Sequence, residues 1–215
     1  MRMLLLILVS SFAVVLSSRA QSAKLPYHNN FEKAELNKVP EDMLVLDGAF
    51  GVKEEAGNKF LELPGAPLDT FGVLFGPTAT SDVSASARIF ATGKGRRFPT
   101  FGIGLNGVGG YKLQISPGKK QIELFKGDEV VASKEFEWAG NSWTVLRIQV
   151  RKDAAGVQVE GKAWKEGAVE PKDWPIAFAD KTPAPAGRAS AWGNPFSGTP
   201  IRFDDLHVSA AGEQK

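Results

Sequence analysis

The chain has 215 residues with 26 Lys and Arg against 24 Asp and Glu. Arg2 and Arg19 belong to a leader, so the remaining 24 basic residues equal the 24 acidic ones, which excludes the strongly basic face of a nucleic-acid binder. There is no cysteine, which excludes disulfides, thiolate metal sites and a lipidated N-terminal cysteine, and leaves a packed core as the source of stability.

Met1-Arg2, the apolar run from Met3 to Leu16 and the small residues Ser18 and Ala20 before Gln21 describe a secretory signal peptide over 1–20. The run is shorter than the roughly 20 apolar residues of a spanning helix and holds polar serines. The expected product is a secreted or periplasmic protein with no membrane insertion. Residues 21–25 read as a short tail, 26–209 as one domain and 210–215 as a polar tail.

Residues 27–32 read as a first strand, followed by a polar connection over 33–40. Short strands at 43–46 and 50–53 flank the Asp47-Gly48 turn, and Phe60, Leu61 and Leu63 follow Gly57-Asn58. Phe71, Val73 and Phe75 lead to a long strand over 83–91, where Val83, Ala85, Ala87 and Ile89 alternate with Ser84, Ser86, Arg88 and Phe90. The basic loop Gly93-Lys94-Gly95-Arg96-Arg97 precedes Phe101, Ile103 and Leu105, whose opposite face is Gly102, Gly104 and Asn106.

Tyr111, Leu113 and Ile115, then Ile122 and Leu124, then 130–136 continue the meander through turns at Pro117-Gly118 and Lys126-Gly127-Asp128. Over 144–150, Thr144, Leu146, Ile148 and Val150 share one face. The turn at Lys152-Asp153-Ala154-Ala155-Gly156 returns the chain as a strand over 157–164. Residues 175–185 read as irregular, and 189–192 and 201–208 as closing strands. In the last of these, Ile201 and Phe203 differ in parity from Leu206 and Val208, so a bulge near Asp204-Asp205 is expected. With no helical period lasting beyond a turn, the prediction is all-β: two antiparallel sheets packed as a β-sandwich.

Phe31-Glu32, the run Lys162-Ala163-Trp164-Lys165-Glu166-Gly167 with Glu170-Pro171-Lys172-Asp173-Trp174, and the closing Arg202-Phe203-Asp204-Asp205-Leu206-His207-Val208 carry a resemblance. Over about 31–208 the chain resembles the concanavalin A-like (laminin G-like) jelly-roll domains of bacterial secreted proteins. That resemblance implies a fold shared by lectins, glycosidases, lyases and adhesion modules, so activity must be argued from a site. It also implies a structural Ca²⁺ where the first and last strands meet, with Glu32 and Asp205 as side-chain donors and Asn30 as a third.

The Glu-x-Asp-x-x-Glu strand of laminarinase-like relatives is absent, as is a Gly-x-Ser-x-Gly elbow, and the two histidines, His28 and His207, lie on terminal strands. Glu135 and Glu137 have the spacing to share a face but read as solvated. Gly102-Ile103-Gly104-Leu105-Asn106-Gly107 matches a dinucleotide fingerprint in letters only, because a strand follows where a helix is needed. Glycines on one strand face instead permit close approach of a side chain or ligand.

A sugar needs an aromatic platform beside planar polar groups. If Thr144, Leu146, Ile148 and Val150 face the core, Trp143, Arg147 and Gln149 face away, and by the same alternation so do Arg88, Asn106, Gln114 and Trp164. These seven are expected to line one concave sheet. The alternative is that the tryptophans cover the sandwich edge and the arginines are solvated. Arg96 and Arg97 offer a loop contact for an acidic polymer. The resulting expectation is an exported, non-catalytic module that binds a glycan, a cell-surface polysaccharide or another surface partner, with the structural Ca²⁺ that the resemblance implies. A glycoside-processing enzyme similar to the 3-keto-disaccharide hydrolases and an adhesion protein without a small ligand stand as alternatives.

Overall fold

The computed structural model describes residues 24–65, 69–196 and 198–212. The leader expected over 1–20 lies outside the described residues, as do 21–23 and 213–215 of the two tails. In chain order the strands are β1 (Tyr27–Asn29), β2 (Leu44–Asp47), β3 (Gly51–Glu55), β4 (Asn58–Leu63), β5 (Phe71–Ala79), β6 (Val83–Ala91), β7 (Thr100–Leu105) and β8 (Tyr111–Ser116). They continue as β9 (Gln121–Lys126), β10 (Glu129–Glu135), β11 (Ser142–Asp153), β12 (Gly156–Lys165), β13 (Ile176–Asp180), β14 (Gly187–Asn194) and β15 (Ile201–Ala210). A single 3-10 turn, Pro117–Lys119, is the one helical element among the described residues.

The strands form two sheets. The larger runs β13-β12-β11-β6-β15-β4-β3, with β1 also paired to β15, and the smaller runs β10-β9-β8-β7-β14-β5-β2. The alternation of each strand turns one set of side chains into a shared layer. From the larger sheet come Ala85, Ala87 and Ile89, Leu146, Ile148 and Val150, and Phe203, Leu206 and Val208; from the smaller come Val73, Phe75, Ile103, Leu113 and Leu124, all buried. The β-sandwich expected from the sequence is the observed fold.

The expected bulge in β15 is present. Register against β6 shifts between Asp204 and His207, and Asp205 takes a left-handed φ of 49°. Ile201, Phe203, Leu206 and Val208 thereby all face inward. β1 is shorter than expected because Phe31 turns to φ 60°, with its N–H donating to Asn29 Oδ1 at 2.9 Å. The stretch read as irregular after Pro175 contains β13, which pairs with β12 at the sheet edge. A proline immediately before an edge strand costs no ladder hydrogen bond, and a strand with only Ile176 and Phe178 as large apolar residues shows almost no period.

Asp180, at the end of β13, ties the two sheets together at this edge. Its Oδ2 accepts hydrogen bonds from Tyr111 Oη of β8 at 2.7 Å and from Lys126 Nζ of β9 at 2.7 Å, and its Oδ1 accepts from Thr182 N and Oγ1. Burial alone pushes the carboxyl up, but Lys126, Tyr111 and Thr182 together outweigh it and hold its pKa below the usual carboxylate range. A depressed folded-state value contributes stability that is present above about pH 4, where an unfolded Asp is ionised, and is lost as pH falls below it. Asp180→Asn is expected to lower the melting temperature at neutral pH and to flatten its decline between about pH 4 and 2. Thermal unfolding followed by circular dichroism checks this, and an unchanged acid slope would show that Asp180 carries none of it.

Candidate functional site

The outward face of the larger sheet carries five of the seven residues expected to meet a ligand. Arg88 of β6 reaches Asp204 Oδ2 at 2.5 Å, Glu166 Oε1 at 2.8 Å, Asp205 Oδ2 at 3.2 Å and Asn58 Oδ1 at 2.8 Å. Its guanidinium lies 4.7 Å over the Trp143 ring, and that ring also packs on Phe60 and Phe90. Asp204 is fully buried, and burial pushes its carboxyl up against the pull of Asn58, Asp205 N–H and Arg88.

On β11 and β12 the same economy holds. Arg147 pairs with Glu170 at 2.8 Å. Lys162, 3% exposed, pairs with Glu170 at 2.8 Å, donates to Pro171 O at 2.7 Å and sits 4.3 Å over the Trp174 ring. Gln149 donates to Glu160, which also takes Arg151. The run from Lys162 to Trp174 is thus a clasp that folds the loop after β12 back over its own sheet. Trp164, Arg88, Arg147, Glu166, Glu170 and Asp205 line a small depression of about 160 Å³, and its charges are already matched to one another.

The other two expected residues are elsewhere, so the seven do not form one surface. Asn106 is buried at the end of β7, with a left-handed φ of 67°, and its Nδ2 donates to Ala79 O and Thr80 O. Gln114 projects from the smaller sheet. Alternation fixes which side chains share a face within a strand, and it does not fix which sheet the strand joins.

The residues expected to ligate calcium are each engaged by a protein donor. Glu32 Oε1 accepts Lys59 N–H at 3.0 Å, Asn30 Oδ1 accepts Glu32 N–H at 3.4 Å, and Asp205 faces Arg88 at 3.2 Å and His28 Nε2 at 3.4 Å. A hard cation needs six to eight oxygens turned toward one point. Here a guanidinium already holds the best carboxylate, and among the described residues no three acidic, imidazole or thiol side chains are grouped to hold a metal. The donor set does not fit Ca²⁺.

The outward face of the smaller sheet is built differently. Across its middle, Gln114 of β8 stands opposite Gly102 of β7, Gly102 opposite Trp192 of β14, and Trp192 opposite Gly72 of β5. In the next row Lys112, Gly104, Ser190 and Leu74 are neighbours. Without side chains at Gly72 and Gly104 the indole lies down across the strands. A Cβ at Gly72 would sit 2.6 Å from the ring, and one at Gly104 would sit 3.4 Å from Nε1. Trp192 Nε1 donates to Ser190 Oγ at 2.7 Å, which satisfies its polar edge.

The ring borders a trough of about 260 Å³ at the Gly107 end of the strands, lined by Trp192, Lys112, Tyr111, Thr70, Val108 and Asp128 among others, while Gln114 stands across Gly102 from the indole. Lys112 Nζ lies 4.5 Å from the Phe125 ring centre and 5.8 Å from that of Trp192. Burial pulls its pKa down, partly offset by Asp128 and Glu123, and nothing among the described residues accepts a hydrogen bond from it. Gln114 Nε2 donates to Ser116 Oγ at 3.1 Å, which in turn donates to buried Glu123 at 2.5 Å. A larger cleft, about 540 Å³, lies between the loop tips at Ser81, Asp153, Ala155, Lys181 and Pro183, and none of its described lining residues is aromatic.

The sequence reading missed Trp192, Lys112, Gly72 and Ser190. The signal within reach was the glycine parity at Gly102 and Gly104, which predicts close approach by a side chain. What the sequence does not supply is that β14, far along the chain, provides that side chain. Glu135 and Glu137, weighed as a carboxylate pair, are exposed at and beyond the end of edge strand β10, two strands from Gln114.

No protein-family model matches the chain, and no curated protein matches it. Solved structures do. The chain is similar to the carbohydrate binding module CBM66 from Bacillus subtilis, with a TM-score of 0.54 and 11% identity over 79% of this chain and 96% of that one. It is similar to the Emp46p carbohydrate recognition domain in its metal-free form, at 0.57 and 12% over 85% and 95%. The match to lectin II from Ulex europaeus is 0.51 and 11% over 87% and 99%. At these identities the likeness shows the fold.

Two outcomes follow from the larger sheet. Asp204→Ala strips the buried partner from Arg88 and is expected to cost on the order of 3 kcal/mol, whereas Glu166→Ala, removing an exposed partner of the same guanidinium, should cost about 1 kcal/mol or less; urea unfolding measures both. Melting curves in Ca²⁺ and in chelator should superimpose, because an ion bound only by the folded state would raise the midpoint, and such a rise would return calcium to Glu32 and Asp205.

Proposed function

We propose that this domain is an exported glycan-binding module whose ligand lies on the outward face of the smaller sheet. The observation that carries the reading is Trp192 lying flat over Gly72 and Gly104. A sugar ring offers an apolar C–H face and a rim of hydroxyls, and it is recognised by a flat aromatic surface with polar groups at its edge. Trp192 supplies the surface, and Gln114, Lys112 and Thr70 supply the rim. The named carbohydrate-binding character of the structurally similar domains supports the assignment.

Of the residues expected from the sequence, Gln114 keeps its role as a contact. Arg88, Trp143, Arg147, Gln149 and Trp164 hold the larger sheet and its clasp, and Asn106 fixes a turn. The module binds and does not turn over its ligand: the carboxylates nearest the trough are Glu123, tied to Ser116 and Lys119, and Asp128 at the rim.

Affinity electrophoresis through gels loaded with neutral and charged polysaccharides tests this. Trp192→Ala should weaken retention on the preferred glycan about tenfold or more, equivalent to about 1.4 kcal/mol, while leaving the melting temperature close to that of the parent. Retention lost on Trp164→Ala and kept on Trp192→Ala would move the site to the larger sheet. Retention on no polysaccharide would overturn the proposal.

A further inference from the structure

Two features of the smaller sheet concern charge, and they stand toward opposite ends of β7 and β8. The first is Lys112 inside the trough. Its ammonium is partly buried between the rings of Phe125 and Trp192 and has unspent donors. The acidic groups that feel it are Glu123 and Asp128. Glu123 is occupied by Lys119 at 2.8 Å and Ser116 at 2.5 Å, and Asp128 is exposed at the rim. A cation drawn out of water without a partner is costly, so an anion delivered beside it recovers that cost.

The second feature is at the other end of β7 and β8 from the depression at Gly107 and Asp128. Two residues along β7 from Gly102, about 7 Å at strand rise, lies Thr100, and just before it the β6–β7 loop presents Lys94, Arg96 and Arg97, all exposed. This loop is held as a tight turn. Lys94 N donates to Arg97 O at 3.0 Å and Arg97 N to Lys94 O at 3.1 Å, with Gly95 at φ 63°. The neighbouring β8–β9 turn adds exposed Lys119 and Lys120, and the Phe98 ring lies against Gly118 of that turn. Lys94, Arg96, Arg97 and Lys120 form no ion pair among the described residues, and Arg97 lies 6.0 Å over the Phe196 ring. Over the whole chain 26 basic residues nearly balance 24 acidic ones, so these cations are a local concentration. Lys112 is level with Gly104, four residues or about 13 Å from Thr100 at strand rise, so these cations lie beyond the screening length of about 8 Å and would meet different residues of one polymer.

Resting on the reading of the trough as a glycan site, we infer that its ligand is an acidic polysaccharide, with Lys112 meeting the carboxylate or sulfate of the sugar stacked on Trp192. The turns carrying Arg96, Arg97 and Lys120 take the next acidic residues of the polymer. Charge complementarity along one strand selects this occupant over a neutral glycan, which would leave Lys112 and the turns without an anion.

The test uses the purified protein in affinity gels containing polygalacturonate or alginate, with methyl-esterified polygalacturonate as the matched neutral polymer and polyglutamate as an acidic polymer without sugar rings. Retention is expected on at least one acidic polysaccharide, weakened by salt and about tenfold weaker on an esterified counterpart. Lys112→Met should weaken acidic retention about tenfold and Lys112→Arg should restore most of it, while Arg96→Gln with Arg97→Gln and Lys120→Gln should weaken it about threefold or more, all with unchanged melting temperature. Equal retention on acidic and esterified polymers, or retention on neutral glycans alone, would overturn this inference and leave the glycan site standing. Binding polyglutamate as tightly, or retention on no polysaccharide, would overturn both.

Discussion

A two-sheet sandwich has one apolar layer, and every strand spends one of its two faces on it. In this chain that layer takes Ala85, Ile89, Leu146, Ile148 and Phe203 from one side and Val73, Phe75, Ile103 and Leu113 from the other. All remaining chemistry must stand on the outward faces, where no second layer exists to cover it. The two sheets meet this constraint in opposite ways. The larger folds its own loop over Arg147 and Lys162 and pairs the charges it buries; the smaller removes side chains at Gly72, Gly102 and Gly104 and lays one indole across the gap.

The contrast explains why an abundance of charge is a poor guide to function here. Arg88 with Asp204 and Glu166, and Lys162 with Glu170 and Trp174, are groups whose desolvation is offset only because each has a partner. Removing them for a ligand would uncover buried charge. Lys112 is the reverse case, a partly buried cation resting on two aromatic faces with its donors unused. A ligand there displaces no protein partner.

Much of the fold is legible in the residues because antiparallel strands write their burial in a period of two. The β6 strand, the β11–β12 hairpin and the β15 bulge all follow from side-chain parity, and the bulge follows because Leu206 and Val208 would otherwise face water. β13 escapes because it sits at an edge behind a proline and carries too few large apolar residues to show a period. The site is harder to read because its members come from β5, β7, β8 and β14. Parity within Tyr111–Ser116 puts Lys112 and Gln114 on one face, and parity within Gly187–Asn194 puts Ser190 and Trp192 on one face. That these faces coincide depends on long-range pairing that no local pattern encodes. The same gap led Arg88 and Gln114, which lie on opposite sides of the sandwich, to be grouped together.

Tyr27 of β1 is the register partner of Val208 of β15, so the chain enters and leaves the domain side by side, both on the larger sheet. Anything joined next to these strands, whether a neighbouring domain or an immobilisation tag, is attached at the larger sheet, while Trp192 stands on the smaller one. A tether there leaves the sheet that carries the indole without a covalent attachment of its own.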